Sequence, residues 1–202
     1  MATKLKISRG ATFRKQWAWY AGDDVVKNIT SIVRGFPTVV TVTSHGLPST
    51  DIPVALLDVD ELSTLDSTGN PSFATQYRIL ATKLSTSTFS VEVDSSFFTP
   101  YVSGGFLVYL PPRDLTGYVA RAQFRTSATS ATILLELTTE NGGIELGGVE
   151  GTIDLLMTDA QTTDFPKAFA EWNIELVAPG PGDVVRFDSG VAKFSPDVNR
   201  PV

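Results

Sequence analysis

The chain has 202 residues, 42% of them hydrophobic and 19% charged, enough apolar content to exclude wholesale disorder. A net charge of −6 argues against a chain that coats nucleic acid along its length, and the absence of cysteine excludes a disulfide framework and thiolate chemistry. Gly, Pro, Ser and Thr are abundant and helix-type runs rich in Ala, Glu, Lys and Leu are missing, which predicts an all-β fold of short strands and turns.

The first segment is basic. Lys4, Lys6, Arg9, Arg14, Lys15 and Lys27 stand against only Asp23 and Asp24, a pattern that suits an edge strand whose charges discourage sheet-to-sheet aggregation. Met1 to Lys6 lacks the apolar core of a signal peptide, and no apolar run approaches the ~20 residues that cross a bilayer. Synthesis in a cytoplasm, without secretion and without a membrane partner, is the expectation. Phe13, Lys15, Trp17 and Trp19 alternate with Arg14, Gln16, Ala18 and Tyr20, predicting a strand whose tryptophan face packs a core.

A seam follows. Asn28-Ile29-Thr30 and Asp114-Leu115-Thr116 are near-echoes on either side of a run that reads as a separate β-module, as though one loop had been opened to receive it. The predicted organisation is a discontinuous domain, residues 1–32 and 113–202, interrupted by an inserted domain, residues 33–112. Within the insert, short strands are predicted at Pro37–Thr43, Ile52–Leu57, Tyr77–Thr82, Thr88–Val93 and Phe106–Leu110, the arrangement of a small barrel or sandwich. Pro53 predicts an edge position or a strand start.

Beyond the seam, Tyr118, Ala120, Ala122 and Phe124 share one face, and Ile133, Leu135 and Leu137 continue the period. Asn141-Gly142-Gly143 signals a hairpin. Thr158 with Asp159 early in the next segment predicts one capped helical turn. Trp172, Ile174 and Leu176 mark another strand face, and Val184–Phe194 completes the domain.

Ile7-Ser8-Arg9-Gly10-Ala11-Thr12-Phe13 and Leu115-Thr116-Gly117-Tyr118-Val119 resemble the immunoglobulin-like domain of bacteriophage baseplate and tail proteins. Thr158–Thr163, Ala170–Leu176 and Val191–Arg200 occupy the places of its later elements, with Asn199 where the family's ending carries threonine. The run Phe36–Leu47, with Tyr101-Val102-Ser103-Gly104-Gly105, is similar to a small β-module of phage structural proteins and to the first catalytic cysteine half-domain of ubiquitin-activating enzymes. With no cysteine in the chain, ubiquitin-like activation is excluded. The resemblance implies an immunoglobulin-like β-sandwich interrupted by a barrel-like insert.

His45 is the only histidine; in Ser44-His45-Gly46-Leu47 it suits a turn hydrogen bond better than a triad, which needs a nucleophile and an orienter. Asp58, Asp60, Glu61 and Asp66 lack the Gly-punctuated spacing of a calcium loop. Glu136, Glu140, Glu145 and Glu150 offer carboxylate pairs with no cleft signature. Gly142-Gly143 and Gly147-Gly148 precede strands, whereas phosphate cradles lead into helices. No catalytic, cofactor or metal residue is predicted.

The expected function is a non-enzymatic structural component of a tailed bacteriophage virion, in the tail, baseplate or fibre attachment. Its partners would be other virion proteins, with multiple copies in a symmetric ring and no direct nucleic-acid contact. Alternatives are a head or neck protein (capsid decoration or collar), or a module making weak contacts with host-surface glycans through Tyr77, Tyr101 or Tyr109. Candidate assembly contacts are Lys4, Lys6, Arg9, Pro196, Val198, Arg200 and Val202. Both termini are expected to bury little apolar area in their own domain, and at least one to become ordered through a neighbouring subunit.

Overall fold

The computed structural model describes residues 3–59 and 79–196. They form two compact units: one joins the residues up to Trp19 to those from Asp114 onward, and the other is Tyr20–Arg113. In chain order the strands are β1 (Thr3–Ser8), β2 (Phe13–Ala18), β3 (Val25–Asn28), β4 (Ser31–Val33), β5 (Thr38–Thr41), β6 (Ile52–Leu57), β7 (Ile79–Lys83) and β8 (Thr88–Val91). They continue with β9 (Phe106–Tyr109), β10 (Val119–Arg125), β11 (Ile133–Thr138), β12 (Ile144–Leu146), β13 (Thr152–Met157), β14 (Phe169–Val177) and β15 (Val184–Ser195). One short helix, α1 (Asp159–Thr163), is described. The all-β class expected from composition is thus observed.

In the discontinuous unit, β1, β15, β14, β10 and β11 form a five-stranded sheet in that order, and β12, β13 and β2 form a three-stranded one. Both feed one hydrophobic core. Ala120, Ala122 and Phe124 of β10 and Ala170, Trp172, Ile174 and Leu176 of β14 are buried, as strand alternation requires. The smaller sheet contributes Ile144, Ile153, Leu155 and Met157. Phe124 stacks on Trp172 with ring centroids 6.3 Å apart, and Phe165 lies flat on Phe194 at 3.7 Å. Each buried aromatic contributes about 1.5–3 kcal/mol relative to exposure.

β1 runs parallel to β15, from Thr3 opposite Gly190 to Ser8 opposite Ser195. Its Leu5 and Ile7 are only 3% and 1% exposed and belong to the core. The expectation that the amino-terminal segment buries little in its own domain is therefore corrected. Alternation sends its lysines outward and its aliphatic residues inward, so a segment basic in composition is amphipathic in the sheet. Gly190 permits the close pairing, because a Cβ there would collide with the Thr3 carbonyl oxygen.

Thr158 caps α1 as predicted. Its hydroxyl accepts the Gln161 N–H at 3.2 Å, and the Gln161 side chain accepts the Thr158 N–H at 2.9 Å. The hairpin expected at Asn141-Gly142-Gly143 is not one. The turn forms, with Asn141 Oδ1 accepting the Thr138 and Gly143 N–H groups, but β11 pairs with β10 and β12 with β13. The chain crosses there from one sheet to the other. Gly142 takes φ +73°, and a Cβ on Gly143 would press on Leu137 at 2.7 Å.

The continuous unit is a curled antiparallel sheet in the order β3-β9-β6-β7-β8-β5-β4. Its end strands are consecutive in sequence. Ile29 donates its N–H to Gly105 O at 3.0 Å, and Thr30 donates to Thr41 O at 2.9 Å, so the stretch from β3 to β4 touches both ends of the order. Val40, Ile52, Val54, Leu56, Phe89 and Leu107 fill the interior. Pro53 lies opposite Leu80 of β7, while pairing of β6 with β9 begins only at Ala55, so the missing N–H leaves no ladder bond unmade.

The division of the chain differs from the seam at 33. Val25–Asn28 pairs with β9 and Ser31–Val33 with β5, so residues 20–32 group with the continuous unit. Tyr20 also bridges Pro112, and Ala21 donates to Pro111 O at 3.1 Å, which brings the two ends of this unit together. In the other unit, Trp19 donates its N–H to Gly151 O at 2.9 Å and Leu115 donates to Gly148 O at 2.8 Å. The chain thus leaves and re-enters that unit at one short turn, the 3-10 segment Gly148–Glu150 with its cap Gly151.

Candidate functional site

Two surfaces of the discontinuous unit hold side chains in defined arrays. One is the edge of the five-stranded sheet. Among the described residues β1 pairs with β15 alone, and Lys4 and Lys6 are exposed along it. Arg9 follows the strand, donating its backbone N–H to Ser195 O and its Nη2 to Lys167 O, each at 3.0 Å. Since Ser8 lies opposite Ser195, Arg9 and the exposed Pro196 reach the same corner. Four of the seven candidate assembly residues, Lys4, Lys6, Arg9 and Pro196, therefore line one edge and its end. Val198, Arg200 and Val202 lie outside the described residues.

The other surface is the outer face of the same sheet, where β10, β14 and β15 align three rows. Register places Arg121, Glu175 and Arg186 in one row, Gln123, Asn173 and Ser189 in the next, and Arg125, Glu171 and Val191 in the third. A register shift between Ile174 and Glu175 separates the first row from the second on β15. Short residues in the middle row leave a trough of about 360 Å³, lined by Gln123, Arg125, Glu171, Asn173, Arg186 and Ser189 among others. The loop after β10 walls one end: Ala128 donates its N–H to Glu171 Oε2 at 2.6 Å, and Arg125 Nη1 donates to Ser130 O at 2.5 Å.

The trough's charges are unevenly matched. Arg121 pairs with Glu175 at 3.1 Å. Arg125 meets only neutral acceptors, Gln123 Oε1 at 2.7 Å and Ser130 O. Among the described residues, the Arg186 side chain forms no ion pair and no hydrogen bond. Beneath this face the indole Nε1 of the buried Trp172 has no acceptor.

In the continuous unit His45 is fully buried, edge-on to the Phe89 ring at 5.8 Å. Its Nδ1 accepts the Leu47 N–H at 3.0 Å, and its Nε2 lies 2.8 Å from Ser85 O, so the proton sits on Nε2. Nδ1 serves the histidine's own turn, as the sequence suggested, and Nε2 ties that turn to the one between β7 and β8. Tyr109 is buried at 3% exposure and gives its hydroxyl to His45 O at 2.8 Å, so it offers no face for stacking a sugar. Tyr101 donates to Gly104 O and Ile29 O at 2.8 and 3.1 Å. Tyr77, Asp60, Glu61 and Asp66 lie outside the described residues.

Glu136 accepts from Gln123 Nε2 at 2.6 Å, and Glu140 is held below the usual carboxylate range by its own backbone N–H and the Thr138 hydroxyl. Glu145 sits on β12 and Glu150 in the 3-10 segment. Among the described residues, no three His, Asp or Glu side chains gather as a metal-binding group. No protein-family model and no curated protein sequence matches this chain.

Proposed function

We propose that this chain is a non-enzymatic structural component of a tailed bacteriophage virion, acting in the tail, baseplate or fibre attachment through protein–protein contacts. The single observation that carries the reading is the paired anchoring of Trp19 and Leu115 on the turn 148–151. One domain that releases and recovers the chain at a single turn is built to carry another domain. The ends of the carried unit meet at Tyr20 and Pro112.

On this reading the discontinuous unit is an immunoglobulin-like β-sandwich, supported by two sheets on one core and by the resemblance of Ile7–Phe13 and Leu115–Arg125 to phage tail domains. The continuous unit is its barrel-like insert, supported by the closure at Ile29 and Thr30. The exposed lysines of β1 and the corner at Arg9 and Pro196 supply an edge for docking neighbouring subunits in a symmetric ring. Buried His45, occupied at both ring nitrogens by backbone, acts in packing.

Mass spectrometry of purified particles tests the proposal, with the chain expected at a stoichiometry matching a ring or a multiple of one. Particles free of the chain would overturn it. Electron microscopy of particles labelled on the chain separates tail from head and neck.

A further inference from the structure

We infer that the trough on β10, β14 and β15 is a binding site for a carboxylated sugar residue, free or within an acidic oligosaccharide. This goes beyond the structural role proposed above and does not rest on it. The volume, about 360 Å³, falls in the roughly 300–1,000 Å³ range of small-ligand sites.

The chemistry of the lining narrows the ligand. Arg186 has no partner among the described residues, and Arg125 meets only neutral oxygens. An unpaired guanidinium presents a planar fork of donors that matches a carboxylate in two parallel hydrogen bonds. In the middle row, Asn173 and Ser189 supply an amide and a hydroxyl that both donate and accept, which suits a ligand rich in hydroxyls, while the Gln123 amide is held by Arg125 and Glu136. Asn173 and Ser189 spend no side-chain hydrogen bond on the protein among the described residues.

Glu171 sets the limit on charge. Its carboxylate lines the trough and is fixed by the Ala128 N–H at 2.6 Å. It accepts from hydroxyls and repels two charges carried on one compact group, so a carboxylate, with a single charge on each sugar ring of a polyol, fits better than phosphate. The wall from Ser127 to Ser130, braced by Arg125, makes the site a preformed concavity on a rigid sheet.

The test is titration of the full chain with glucuronate, digalacturonate, glucose, acetate and inorganic phosphate, followed by amide chemical shifts. Glucuronate or digalacturonate is expected to move resonances of Gln123, Glu171, Asn173, Arg186 and Ser189, saturating in about the millimolar range. Glucose, acetate and phosphate are each expected to bind about tenfold more weakly, and Arg186→Gln to weaken glucuronate by about tenfold or more. A preference of digalacturonate over glucuronate identifies a chain of acidic sugars, and parity identifies the single residue. Arg186 is exposed, so its variant keeps the fold, and an unchanged melting temperature verifies this. Asn173→Ala, expected to weaken binding without changing the preference for charge, is the second variant. Shifts elsewhere, glucose or phosphate binding as tightly as glucuronate, or full affinity in Arg186→Gln would each overturn the inference.

Discussion

The Tyr109 hydroxyl is hydrogen-bonded to the carbonyl of His45 across the interior of the curled sheet, at 2.8 Å. Tyr109 lies on β9, and His45 stands in the turn after β5. Gly46 completes the arrangement: its φ is +76°, and a Cβ there would stand 2.9 Å from the Tyr109 hydroxyl. Tyr109→Phe leaves a buried carbonyl without its donor and is expected to cost about 1–3 kcal/mol. Gly46→Ala adds crowding to a left-handed backbone and is expected to cost roughly 1–3 kcal/mol of strain at that position. Urea unfolding of the full chain checks both, and an unchanged midpoint for either substitution contradicts the geometry.

Gly190→Ala is predicted to separate β1 from β15, because the added methyl group needs the space of the Thr3 carbonyl. The cost is expected to be about 1–3 kcal/mol, as for overpacking in a core. Hydrogen exchange locates the effect: amides of residues 4–8 lose protection, whereas those of β10 and β14 keep theirs. Retained protection in β1 would show that the pairing tolerates a side chain.

Excising residues 20–113 and joining Trp19 to Asp114 is predicted to leave a cooperatively melting unit, because both ends remain hydrogen-bonded to the turn 148–151. A splice of Thr30 to Gly117 is predicted to fare worse. It retains 20–30 without β9 and β5, and it removes the Leu115 anchor and its buried side chain. Circular dichroism melts of the two products decide the matter; equal stability would mean that the unit does not depend on those partners.

Alkaline pH is predicted to destabilise the continuous unit. Burial raises the hydroxyl groups of Tyr20, Tyr101 and Tyr109 above the ordinary tyrosine value of 10.0, and the Asp51 carboxylate raises Tyr20 further. Folding favours the neutral phenol, so this stability is complete below pH 10.0 and is lost as pH rises through the folded values. Phenolate absorbance measured alongside denaturant unfolding follows both changes. Stability constant through the tyrosine titration would refute the burial effect.

Local chemistry made much of this fold readable. Ala120, Ala122 and Phe124 declare a buried face by spacing alone, and Thr158 with Gln161 declares a capped turn. Pairing partners are another matter. Val25–Asn28 reads as a short strand whichever sheet receives it, and only distant Phe106–Tyr109 decides. Asn141-Gly142-Gly143 fixes a reversal but carries no record of which sheet each flank joins. The outer trough was missed for the same reason. Gln123, Asn173 and Ser189 are ordinary outward residues on three strands, and they become neighbours only through register and the shift near Ile174. Arg125 and Arg186 on outward positions are the available signal, but their spacing of 61 positions hides their proximity.

The parallel pairing of β1 with β15 gives the chain a mechanical character. Tension applied between its ends pulls the first strand one way and the last strand the other along their common axis. All the rungs from Thr3 to Ser8 then share the load in shear, where an antiparallel pair pulled from one end would unzip a rung at a time. Residues 20–113 lie between β1 and β15 in the chain, so load borne by the strand pair does not pass through them until the pair yields. The continuous unit is therefore spared that load for as long as the strand pair holds.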